Sequence, residues 1–225
     1  MKASKKNQKE QNIISAAEKV FEQVGFTNAK MEDIAKEASI TKVTLYSYFQ
    51  SKENLQLAMT FKALSLLIDR YEETLTKNVH KSGLLSSVDM FNVFVEFCEQ
   101  NYLYSEALLS YFALIRSTAH GSNKDKITDG ISESIYFEKL QQIQNIPFKY
   151  IVKEINRGRT DGSIKTGVDP MLVTLAGWTA SIGYVKLIAA SGDELQPLFN
   201  VDLKLLKKIH MHNALSFLKS KEDLI

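Results

Sequence analysis

At 225 residues with a formal net charge of +2, the chain is long enough for one large domain or two small ones, with a sizeable core. Ten Gly and three Pro are about half the usual share, too few for the many tight turns of a sandwich or barrel, so a mostly helical fold is expected. A single cysteine, Cys98, excludes an intrachain disulfide, a Cys-based zinc site and a redox pair, and suits a buried thiol in a reducing cytosol.

Met1 to Gln11 is polar and lysine-rich with no apolar run behind it, so neither a signal peptide nor a lipid anchor is expected and the chain is placed in the cytoplasm. Lys2, Lys5, Lys6 and Lys9 read either as an arm reaching a minor groove or as a solvated end. Ile13, Ala16, Ala17, Val20, Phe21 and Val24 recur at helical spacing, which predicts a helix from about Lys9 to Val24 with Gly25 as a left-handed cap. A second, short helix from Met31 to Ala38 keeps Met31, Ile34, Ala35 and Ala38 on one side. After a tight connection at Ser39 and Ile40, Thr41 is a good N-cap for a third helix, Lys42 to Tyr48, with Leu45 and Phe49 pointing inward. Two helices of about two turns joined by three or four residues have the geometry of a helix-turn-helix, whose second helix enters the major groove.

Charge agrees with that geometry. Residues 1 to 53 hold nine Lys and seven acids, so the whole positive excess lies there. Ala38 to Lys52 contains Lys42 and Lys52 and no acid, although Glu32, Asp33, Glu37 and Glu53 lie just outside. A surface pressed against phosphates requires such a cleared window, because each carboxylate there would oppose counterion release.

The run Phe21 to Leu55, through Gly25-Phe26, Ile34-Ala35, Thr41-Lys42, Thr44-Leu45-Tyr46, Tyr48-Phe49 and Ser51-Lys52-Glu53, resembles the N-terminal domain of the TetR (AcrR-type) family of transcriptional regulators. The resemblance implies an all-α fold: a three-helix helix-turn-helix domain over residues 1 to 51, then a larger helical effector-binding and dimerisation domain over 52 to 225. It further implies a homodimer, a double-stranded DNA operator as partner, and no cofactor. By residue-for-residue transfer, Thr41, Tyr46 and Lys52 resemble the family's phosphate contacts, while Lys42, Val43, Thr44 and Tyr48 fall where base or backbone contacts lie. Three departures stand out: Lys30 replaces the usual Ser or Thr cap of the second helix, Ser39 stands where the turn often carries Gly, and Val43 follows Lys42 where Gly is frequent.

Farther along, Lys52 to about Lys77 reads as one helix of roughly 39 Å, a natural lever between a DNA head and a distant chamber. Ser87 to Tyr104 and Ser105 to His120 are apolar and aromatic, and Lys139 to Arg157 is expected to form a helix bent at Pro147, followed by a loop from Gly158 to Gly167. The aromatics, with Tyr136, Phe137 and Trp178, would suit a largely apolar small-molecule cavity, for which Phe94, Phe112, Arg116 and Trp178 are the candidate lining residues. Arg116 reads equally as a partner of Glu96, Glu99 or Glu106, and His120 is ambiguous. Pro170 to Gly192 carries one charge, Lys186, over a length that could cross a bilayer, but Thr174, Gly177, Thr179, Ser181 and Gly183 interrupt it. A helix buried in a protein assembly, not a membrane span, is expected. With a helix from Asp202 to Lys219, it would supply two helices per protomer to a four-helix dimer interface, or alternatively close the monomer's own core.

These readings point to a ligand-released repressor that binds a palindromic operator as a homodimer. The alternative is a helix-turn-helix protein controlled by a protein partner. An enzyme ranks last, since there is no glycine-rich phosphate loop or HExxH, and His210 and His212 lie about 200° apart around a helix, unable to grip one metal.

Overall fold

A computed structural model describes residues 2–119, 126–191 and 202–221, and every regular element among them is a helix. In chain order these are α1 (Lys2–Asn28), α2 (Met31–Glu37), α3 (Lys42–Tyr46), α4 (Lys52–Lys77), α5 (Gly83–Gln100), α6 (Tyr102–Ala119), α7 (Asp129–Ser132), α8 (Ile135–Ile143), α9 (Ile146–Thr160), α10 (Pro170–Ser191) and α11 (Leu203–Lys219). They form two compact units, Met1–Ser65 with Leu103–Gln144, and Leu66–Tyr102 with Asn145–Ile225.

In the first unit, α1 buries Ile13, Ala16, Ala17, Val20 and Phe21 of the predicted stripe and Ile14 beside them, whereas Val24, at the end of that stripe, is exposed. The helix begins at Lys2, not near Lys9, so the lysine-rich start continues α1 and is not an extended arm. Gly25 interrupts the helical path at φ 74, ψ 159, and the chain turns back to helical geometry as far as Asn28. That is not the left-handed cap expected, but the positive φ explains why glycine stands there. Phe26 follows and packs its ring 5.2 Å from that of Phe21.

Lys30 occupies the N-cap of α2 and makes no side-chain cap, so Glu32 and Asp33 in the first turn are left to answer the helix dipole. Ser39 takes φ 53 in the turn, a left-handed conformation for a residue with a Cβ. α3 ends at Tyr46, two residues short of the predicted Tyr48, and the turn is completed by the Tyr48 and Phe49 amides donating to the Leu45 carbonyl. Leu45 and Phe49 are buried as anticipated.

In the second unit, α5 packs on α9, α10 and α11. Its start crosses the end of α9 without room for a side chain, since a Cβ on Gly83 would lie 2.1 Å from the Gly158 amide nitrogen. Asp161 and Ser163 accept from the Gly83 and Leu84 amides at 2.8 and 3.1 Å and satisfy the helix start. The predicted bent helix over Lys139 to Arg157 is two helices: α8 stops at Ile143 and α9 begins anew with Pro147 in its first turn, where a missing N–H costs nothing. α9 runs to Thr160, so the following loop starts later than expected. α10 is long and apolar enough to cross a membrane by composition, yet only 28% of its apolar window is buried within the chain. Met171, Leu172, Leu205 and Ile209 remain exposed on α10 and α11.

Candidate nucleic-acid interface

The candidate interface is built from a five-residue helix and its ends. Such a helix is too short to be stable alone, so caps and anchors hold it. Thr41 caps it: its hydroxyl oxygen accepts from the Thr44 amide at 3.2 Å, and the two hydroxyls lie 3.0 Å apart. Ser47 donates to the Thr44 carbonyl at 2.7 Å and closes the other end. Between them, Lys42 and Tyr46 are exposed and Val43 is 82% exposed. Thr44 and Tyr48 are half-buried at the edge.

Two cations behave differently from one another. Lys42 is ion-paired with Glu32 of α2, and the hydrogen bond from Lys42 holds the Glu32 carboxyl below its usual range. Glu32 thus occupies Lys42 in the way a phosphate would. Lys52 turns back into the unit, donating to the Thr27 and Ala29 carbonyls at 2.9 and 3.1 Å and lying 4.9 Å from the Phe26 ring centre. It clasps the connection between α1 and α2. An ammonium has three donors, so one remains. Ser51 caps α4 as predicted, accepting from the Asn54 amide at 3.3 Å.

Of the four residues named for an effector cavity, two are brought together within the second unit. Phe94 and Trp178 are together, with ring centres 6.5 Å apart, and Phe148 meets the same indole at 5.5 Å. Phe112 belongs to the other unit, on the ring of Tyr111. The side chain of Arg116 lies outside the described residues, as does His120. Tyr136 and Phe137, grouped with the cavity by composition, are core residues of the first unit instead. The apolar opening that the second unit does show is a groove of about 210 Å³ between α5, α10 and α11, lined by Phe91, Val173, Gly177, His210, Asn213 and Phe217 among others. Phe91 is among the aromatics that the sequence offers for a cavity, whereas Asn213 and His210 were missed there, because helical spacing alone does not tell a groove wall from a core face. Among the described residues no three His, Cys, Asp or Glu side chains cluster to hold a metal.

A Thr-capped short helix set after a seven-residue helix, with an exposed polar and apolar ridge, defines a helix-turn-helix head on an all-helical chain. Residues 13–59 match the family described as "Bacterial regulatory proteins, tetR family". The chain is 40% identical over 78 residues to the HTH-type transcriptional regulator YuxN of Bacillus subtilis, covering 34% of this chain and 24% of that protein. It is 32% identical over 91 residues to the HTH-type transcriptional activator FasR of Mycolicibacterium smegmatis, covering 40% and 42%. The matched stretches span less than half the length of these relatives. Among solved structures, the fold is similar to the regulator FadR of Bacillus subtilis in complex with stearoyl-CoA, at 17% identity and TM-score 0.63 over 95% of this chain and 99% of that one. The family match is confined to residues 13–59, and the relatives that match there are transcriptional regulators.

Proposed function

We propose that the protein is a sequence-specific DNA-binding regulator, a repressor that acts as a homodimer on a palindromic operator in the cytoplasm and is released by a largely apolar small molecule. The observation that carries this reading is the exposed ridge of α3, where Thr41, Lys42, Val43 and Tyr46 are solvent-facing in a window without a carboxylate. Thr41 and Tyr46 are assigned to phosphates, as is Lys52 through its remaining donor. Lys42, Val43, Thr44 and Tyr48 are assigned to base edges and the adjoining backbone, Val43 with a thymine methyl as its natural partner. Lys42 exchanges Glu32 for DNA.

Twofold pairing is supported by the exposed apolar side chains Met171 and Leu172 of α10 and Leu205 and Ile209 of α11. Small residues beside them, Ala176, Ala180 and Gly183, are also exposed and admit a close helix approach. Two heads would then read half-sites about 34 to 36 Å apart. For the effector, the apolar groove and the Phe94, Phe148 and Trp178 cluster favour a ligand with an extended hydrocarbon part. A fatty acyl group is the first class to examine, given the neighbour crystallised with stearoyl-CoA.

Selection of a bound duplex from a random pool, followed by titration across salt, tests the central reading. Replacing Lys42 or Lys52 with Ala is expected to lower the slope of log K against log salt by about one each. An unchanged slope removes that residue from the interface, and a wild-type chain that prefers no palindromic duplex overturns the reading.

A further inference from the structure

Tyr136 lies far outside the first 51 residues, yet its side chain is part of the packing that holds the head together. The residue is buried. Its ring stacks on Phe49 at 6.2 Å with the planes 21° apart, and Phe61 of α4 lies against it at 5.8 Å. Lys139, one turn farther along α8, places its ammonium 4.7 Å from the Tyr136 ring centre. The Tyr136 hydroxyl donates to Glu10 Oε1 of α1 at 2.7 Å. One side chain therefore touches α1, α4 and the residue that anchors the end of α3.

Phe49 and α3 move as a piece, because the Phe49 amide donates to the Leu45 carbonyl at 2.9 Å. α3 buries only Leu45 of its own five residues. Its angle to the rest of the unit is thus set by Leu45 and by Phe49, and the surface against which Phe49 stacks is Tyr136. We propose that Tyr136 is a positioning residue for DNA recognition, a peg from α8 that fixes the end of α3 against α1 and α4. The proposal deepens the DNA-binding reading and rests on it. A phenylalanine would fill the same space; the hydroxyl adds a bond to α1 that ties the two anchors of the peg together. α8 leads directly into Gln144, where the first unit's share of the chain ends.

The experiment uses the full chain with the selected operator duplex, an unrelated duplex of equal length, and hydrogen exchange without DNA. Tyr136→Leu is expected to weaken operator binding about tenfold, leaving the affinity for unrelated duplex and the salt slope as in wild type. Tyr136→Phe should restore most of the loss. Without DNA, amides of residues 42–50 should exchange faster in Tyr136→Leu while those of 13–21 hold. Should Tyr136→Leu not fold, Tyr136→Phe and Glu10→Ala replace it: each is expected to weaken operator binding about threefold and the pair no further, since both remove one bond. Equal loss on both duplexes, unchanged operator affinity, or unchanged exchange at 42–50 overturns the proposal. If wild type itself does not distinguish the duplexes, the DNA reading fails, and the exchange comparison alone decides whether Tyr136 holds α3.

Discussion

Ser39 carries the cost of the turn that the helix-turn-helix needs. At φ 53 its Cβ sits near the following carbonyl, a strain of about 1 kcal/mol that short polar side chains moderate by local hydrogen bonding. Ser39→Val removes that relief and is expected to lower the unfolding free energy by about 1 to 2 kcal/mol, whereas Ser39→Asn should be neutral, both read by urea denaturation. His210 shows the same logic with charge. Burial beside Tyr184, whose ring is stacked on it at 5.8 Å, depresses its pKa, while Ser181 Oγ lies 3.0 Å from Nε2. Lys207 and Glu99 face the same corner, joined at 2.7 Å, with Glu99 also accepting from Tyr184. Because the folded pKa lies below the unfolded one, the unfolded chain takes the proton first as pH falls from 7 through the ordinary histidine range. Stability is therefore lost on acidification. Denaturation at pH 7.5 and 5.5 should show a smaller loss for His210→Gln than for wild type.

Among the elements, glycine placement separates rigid from yielding contacts. A Cβ on Gly83 would meet backbone atoms of α9 at 2.1 to 2.6 Å, while one on Gly177 would meet only the Phe91 ring, at 2.4 Å and beyond. Backbone cannot step aside and a ring can. Gly83→Ala is expected to cost about 3 kcal/mol or more and Gly177→Ala about 1 to 2, compared by thermal unfolding. The chain's helices were legible where one rule governs each: apolar spacing gave α4 as Lys52–Lys77, and Thr41 and Ser51 announced their caps. Pro147 was legible as a breaker, but a bend and a restart share the same missing N–H, and only packing decides between them. The assignment of Tyr136 was beyond reach, because a ring at helical spacing looks alike whether it faces a cavity or Phe49, 87 residues away in the chain. The Glu32 partner of Lys42 was hidden for the same reason, since it joins two helices and not one face.

At the scale of the whole molecule, the problem to solve is α10. A helix whose apolar window has a mean hydropathy of 1.4 and is only 28% buried presents an apolar surface that is unfavourable in water. A bilayer or a second protein surface would cover it. Its exposed side carries Ala176, Ala180 and Gly183, and α11 adds Leu205, Ile209, His212, Asn213 and Ser216, a mixture of small, apolar and polar groups. Polar groups at that density are costly in hydrocarbon and ordinary in a protein interface. The twofold pairing proposed for α10 and α11 would supply such an interface, and it is separable from folding because these residues are exposed. Leu172→Glu combined with Ile209→Glu is expected to give a monomer by sedimentation velocity with thermal unfolding cooperative and near the wild-type temperature. The same variant should lose most of its operator affinity while keeping weak binding to a single half-site, since each head is intact and only the effective concentration of the second is lost. A variant that stays dimeric would move the interface elsewhere on the chain.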